Sequence, residues 1–103
     1  MKIWIDDVRP APDGYILYKS VNPALRFIRD NSHLIELIDL DHDAGEFAKR
    51  GGDYIRILDE MERLTKVHKM NFGHIAFHIH SANPVGVQNM RAMIERNGWK
   101  EIR

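Results

Sequence analysis

Short β-rich runs alternate with helical patterns along the whole chain, and this alternation restricts the fold more than any single motif does. Lys2 to Ile5 is a β-rich run closed by Asp6-Asp7, and Tyr15 to Lys19 is a second strand after the turn-rich stretch VRPAPDG. Asn22-Pro23 then opens a helix, with Asn as its cap and Pro in its first turn, and Ala24, Phe27 and Ile28 follow at helical spacing. Leu34 to Leu40 reads as a third strand whose interior is broken by Glu36 and Asp39. A long helix from about Asp53, whose carboxylate can cap it, places Tyr54, Ile57, Leu58, Met61 and Leu64 on one face. The run beginning at His74 is a fourth strand, and Asn83-Pro84 repeats the cap-plus-proline start. Val87, Met90 and Ile94 form the inward stripe of that helix, Asn97-Gly98 ends it, and Trp99 to Ile102 can be a last short strand. Helical crossovers of this length imply an α/β fold with a roughly five-stranded, mainly parallel sheet in one domain over residues 1–103.

Composition narrows the chemistry. Fifteen basic and fifteen acidic residues cancel, so no global positive field argues for nucleic-acid binding along the whole length. The absence of cysteine excludes disulfides, thiolate nucleophiles and cysteine metal cages, so any metal must be held by oxygen and imidazole. The opening MKIWIDDVRP is neither a signal peptide nor a membrane span, from which a cytoplasmic location without membrane association is expected.

In open parallel sheets the ligand site lies beyond the carboxyl ends of the strands, and the polar clusters fall there. Asp6-Asp7 follows strand one, Asp41-His42-Asp43 follows strand three, and His80-Ser81 follows strand four. Three carboxylates within about 4 to 5 Å repel by about 3 to 4 kcal/mol per pair at an effective dielectric near 20, so a cation or protons must compensate. Oxygen ligands suit Mg²⁺ or Mn²⁺, while directly bound imidazoles would favour Mn²⁺ or Zn²⁺. Asp6, Asp7, Asp41 and Asp43 are the candidate ligands. The Asn83-Pro84 helix start presents its N–H groups at the same edge, and with the Ser81 hydroxyl it forms a cradle for a phosphoryl group. Arg9 and Lys49 are candidate phosphate contacts, although either can equally be a surface cation.

Two imidazoles at the end of a buried strand need a reason. His78 and His80 share one side of the strand, and His80 lies nearer the acids, so it is the first choice for moving protons near neutral pH, with His42 beside it and His78 behind it as support. Taken singly, each is as readily a half-buried histidine satisfied by backbone groups, and Asp43 is as readily a turn residue. Trp4 and Trp99 read as packing residues.

The tandem acid after strand one, the aspartate after strand three and Ser-Ala after strand four resemble the receiver domains of response regulators, which have a three-layer flavodoxin-like fold. More closely, DDVRPAPDGY, LDHDAG, GGD and HIHSANPVGVQNM resemble the divergent cyclic-phosphate processing receiver family, over essentially the whole chain. The resemblance implies Mg²⁺ held by Asp6, Asp7 and Asp41, Ser81 against the phosphoryl group, and action on cyclic phosphate ends of nucleotides or RNA, as in RNA repair. The chain departs from an ordinary receiver in three ways: the segment between the first two strands is too short for the usual first helix, no Lys-Pro pair follows the last strand, and the final helix is missing. Lys100 inside the last strand is a poor replacement for that lysine. A metal-dependent phosphoesterase is therefore expected, with Asp41, His42, His80 and Ser81 as its catalytic group. A phosphoacceptor or regulatory binding module, and a silent interaction domain, are the other classes the residues allow.

Overall fold

The structure, a computed structural model, describes residues 1–103. Five parallel strands form one sheet in the order β2-β1-β3-β4-β5: β1 (Lys2–Ile5), β2 (Tyr15–Tyr18), β3 (Leu37–Leu40), β4 (Ala76–Ile79) and β5 (Lys100–Ile102). Three α-helices, α1 (Val21–Asn31), α2 (Ile55–His68) and α3 (Pro84–Arg96), connect β2 to β3, β3 to β4 and β4 to β5. All three steps run in the same direction along the sheet, so right-handed crossovers place all three helices on one face. The core confirms it: Ile3, Ile5, Ile38, Leu40, Phe77 and Ile79 alternate into a single apolar cluster with the helices. Residues 1–103 thus form a receiver-like α/β fold with a five-stranded sheet covered by one helical layer, where the three-layer arrangement of the resemblance implied helices on both faces. No helix is long and apolar enough to cross a membrane.

Several element limits differ from the sequence reading, each because packing outweighs a local signal. Helix α1 begins at Val21, after Ser20, and not behind an Asn22 cap. Val21 is buried in the core, and Pro23 is tolerated because first-turn N–H groups are unpaired anyway. Asp53 does not cap α2; its Oδ1 accepts from the Ala44 N–H at 3.0 Å and ties down the loop after β3. Leu34 closes a 3₁₀ turn (Ser32–Leu34), and β3 starts only at Leu37. At α3 the local signal prevails: Asn83 Oδ1 accepts from the Gly86 N–H at 3.0 Å, with Pro84 as first helical residue.

Candidate functional site

The strand register decides which carboxylates meet. Ile5 pairs with Leu40, and Leu40 with Ile79, so Asp6, Asp41 and His80 leave the sheet side by side. The ladder continues one residue further, with the Asp41 N–H donating to Ile5 O and the His80 N–H to Leu40 O. Ligand-capable atoms of Asp6, Asp41 and His80 consequently lie within 4.8 Å of one another. Burial drives the Asp6 pKa up, but the Val8 and Arg9 N–H groups on Oδ1 (2.9 and 3.0 Å) and His80 on Oδ2 (2.8 Å) outweigh it and hold it below the ordinary value. Asp7 behaves oppositely. Burial, followed by the charges of Asp6 and Asp41, holds its carboxyl above the ordinary value. Its side chain lies against Gly45, which has φ +56° and whose Cβ, if present, would stand 2.5 Å from Asp7 Oδ2. Glycine there satisfies both the left-handed backbone and the close approach.

Trp4, Asp39 and His78 are direct partners across three strands, on the face away from the helices. Asp39 is buried inside β3, and its Oδ1 accepts from both His78 Nδ1 (2.9 Å) and His80 Nδ1 (2.6 Å). Both ring nitrogens of His80 therefore face carboxylates, Asp39 on one side and Asp6 on the other. A neutral imidazole would point a lone pair at one of them, whereas the imidazolium donates to both. Burial opposes that charge, but the two carboxylates prevail and raise the His80 pKa. Trp4 stacks on the ring at 3.9 Å and 5°, adding cation–π attraction, and its Nε1–H donates to Arg9 O. Arg9 Nη1 in turn donates to His80 O at 2.7 Å. Both His80 nitrogens are thus engaged by carboxylates, while the ring also counts with Asp6 and Asp41 among the ligand-capable groups of the edge. The sequence reading gives it the proton-moving role; the structure adds that it bridges Asp6 and Asp39.

His42 has what His80 lacks. Its Nδ1 lies 2.7 Å from Asp43 Oδ1, and this bond is the main reason the Asp43 carboxyl stays below its ordinary pKa. An ionised Asp43 must accept, so Nδ1 carries the hydrogen, and in the neutral ring Nε2 presents a lone pair. Asn83 Nδ2 holds the same carboxylate at 3.3 and 3.4 Å. Asp43 is therefore occupied in orienting His42, and no bond brings it into the carboxylate group where a metal-ligand role was expected. Lys49 is also apart: it lies on the 3₁₀ helix Gly45–Arg50, beside a surface hollow with Glu46, Phe47 and Arg50, without a bond to any of these groups. Ser81 Oγ accepts from the Asn83 N–H at 3.1 Å, which leaves its own hydrogen free to donate. Pro84 has no N–H and Gly86 is capped, so Val85 supplies the remaining first-turn donor of α3.

Gly86 fixes the place of the His42 ring. A Cβ on Gly86 would come within 2.5 Å of His42 Cγ, and the backbone there is ordinary helix, so the glycine is required by space. Gly86→Ala should raise helix propensity by about 1 kcal/mol and yet make the protein no more stable, because the added Cβ must push the His42 ring aside. Thermal melts check this; a variant clearly more stable than the wild type would show that the ring gives way without cost.

An open parallel sheet with its acids gathered at the carboxyl edge, followed by a helix whose first turn starts at that edge, defines a receiver-like α/β domain. A family model described as the cyclic-phosphate processing receiver domain matches residues 1–96, and the chain belongs to that family. The match includes every residue of the cluster and ends with α3. Neither the curated proteins nor the solved structures gave a match.

Proposed function

We propose that the carboxyl-edge mouth opens cyclic phosphate ends of nucleotides or RNA with the help of a divalent cation. The observation that carries this reading is the gathering of the Asp7 and Asp41 carboxylates beside an Asp6 paired with His80, at an edge that also holds the Ser81 hydroxyl and the first turn of α3. The donor set is oxygen only, since both His80 nitrogens are engaged, which fits Mg²⁺ or Mn²⁺ better than Zn²⁺. Asp6 Oδ2, Asp7 and Asp41 would hold the ion, which when bound supplies neutralisation of the phosphate oxygens.

The chain's own groups supply the rest. The Ser81 hydroxyl and the Val85 N–H orient the phosphate, and the Arg9 guanidinium, 3.9 Å from Asp6 Oδ2, stands at the rim for a further oxygen. His42 Nε2 takes a proton from water as its oxygen bonds to phosphorus. One of the two ring P–O bonds breaks, and the departing ribose oxygen takes the proton, giving a phosphate monoester and a free hydroxyl. Asp43 keeps the imidazole in the required tautomer throughout.

Incubation with a 2′,3′-cyclic nucleotide and Mg²⁺ or Mn²⁺ should yield the monoester, followed by phosphorus NMR. Absence of ring opening with either ion, together with tight beryllofluoride binding, assigns the mouth to phosphoacceptor chemistry instead.

A further inference from the structure

Helices α1 and α2 pack side by side, and arginine lines the groove between them. Arg26 and Arg29 from α1 and Arg56 from α2, with Asn22 and Glu60, bound a cleft of about 340 Å³. Core packing explains the leucines beneath but not three exposed guanidinium groups around one hollow. Arg26 and Arg56 make no ion pair, and Arg29 reaches only its neighbour Asp30, at 4.0 Å. Glu60, the one carboxylate of the lining, is held by Arg63 through two bonds to Nε of 3.0 and 3.1 Å. Glu60 also lies in the field of Arg29 and Arg56, so three guanidinium groups face a single carboxylate and the cleft carries net positive charge within a chain of zero formal charge. Such a grouping costs repulsion unless an anion relieves it, and guanidinium is well suited to phosphate.

One end of the cleft lies toward the same edge of the sheet as the mouth, with the Gly51–Gly52 turn beside Asn22 and Arg56. Helix α1 leaves the carboxyl end of β2, and the residue before α2, Tyr54, donates its N–H to His42 O. Asn22 and Arg56 stand at that end, while Arg26 and Arg29 follow along α1, about 6 and 10 Å beyond Asn22 at the helical rise. We infer that this cleft binds the sugar-phosphate backbone of an RNA strand whose cyclic-phosphate end occupies the mouth, so that the substrate is an oligonucleotide and not a free nucleotide. The inference rests on the reading of the mouth given above. A line of guanidinium groups leading away from a phosphate site matches a strand running from its own terminus.

The test separates cleft from mouth. Binding of a short fluorescent oligouridylate ending in an ordinary 3′-hydroxyl is measured by anisotropy across a salt series. Arg26→Gln with Arg56→Gln should weaken it several-fold and flatten the slope of log K against log salt by about 1.4, at about 0.7 per lost single-strand phosphate contact. Lys2→Gln with Lys100→Gln removes equal charge from the opposite face of the sheet and should change nothing. Turnover of the cyclic mononucleotide should be the same in all three proteins. Equal losses in both double variants, or none in either, overturn the assignment; so does absence of RNA binding at low salt, which gives the cleft to an acidic protein. Arginine-dependent RNA binding supports the cleft even if no ring opening is found, whereas mononucleotide turnover without oligonucleotide binding sinks the cleft and leaves the mouth intact.

Discussion

Asp41→Asn should make the metal-free protein more stable and at the same time inactive. Asp41 stands within 4.8 Å of Asp6, and its charge is among the causes that raise the Asp7 carboxyl. Neutralising it removes its repulsion with Asp7, while its repulsion with Asp6 and its attraction to the His80 imidazolium, at like distances, largely cancel, so a net gain of up to about 1 kcal/mol is expected at this partly exposed site. The amide keeps the one structural bond of the side chain, since its oxygen can still accept from the His42 N–H as Asp41 Oδ1 does at 2.7 Å. The sign with pH follows from Asp7. A carboxyl whose folded pKa is raised costs stability as pH climbs from the unfolded value of 3.8 through the folded one, and this decline should shrink in the variant. Stabilisation by added Mg²⁺ or Mn²⁺, present in the wild type by mass action, should disappear, and turnover should fall by at least about a hundredfold. Denaturant melts with and without metal decide the matter. A metal-free variant less stable than the wild type, and still stabilised by metal, would mean that the carboxylates do not share an ion.

The meeting of Asp6, Asp7 and Asp41 was legible in the sequence because each acid directly follows a β-rich run, and parallel strands deliver their ends to one edge. Gly45 and Gly86 were not legible as parts of the site. A glycine that makes room for Asp7 or for the His42 ring looks, in sequence, like any loop or helix-start glycine. The partners of Trp4 and Asp39 were not legible for a related reason. Trp4 was assigned to packing and Asp39 to an imperfect strand, yet they are register partners 35 positions apart, and only the pairing shows that they face His78 and enclose His80. The one signal available beforehand was shared spacing: Trp4 lies two residues before Asp6, and Asp39 two before Asp41, so both point to the same side of the sheet as the residues at the strand ends. The bonding of the histidines was hidden for the same reason. Proximity to the acids favoured His80 in sequence, but contact with two of them is what occupies both its nitrogens, while His42 keeps a free one.

His80→Gln should be the most damaging single change in the protein. Asp6 and Asp39 are 1% and 6% exposed, and the imidazolium between them is the group that bonds to both. Removing one partner of a buried charge set costs about 3 to 5 kcal/mol because the remaining charges stay desolvated, and a small domain has about 5 to 15 kcal/mol in total. Glutamine preserves much of the volume and one donor group but no charge, so the loss reads the ion pairing more than the packing. The pH dependence separates this from a cavity effect. With its folded pKa raised above 6.5, His80 contributes its full stabilisation below the unfolded value, and the contribution is lost as pH rises through the folded value. The stability difference between wild type and variant should therefore be largest near pH 6 and should narrow steadily above that, as the wild type itself loses the proton. Comparing the two proteins at each pH cancels the histidines that do not share its partners, and His78, which also bonds Asp39 Oδ1, is removed from the comparison by repeating it in a His78→Gln background. Urea titrations in metal-free buffer measure the difference directly. A gap that stays constant with pH would show that the ring acts by shape alone, and Asp6 and Asp39 would then need another source of compensation.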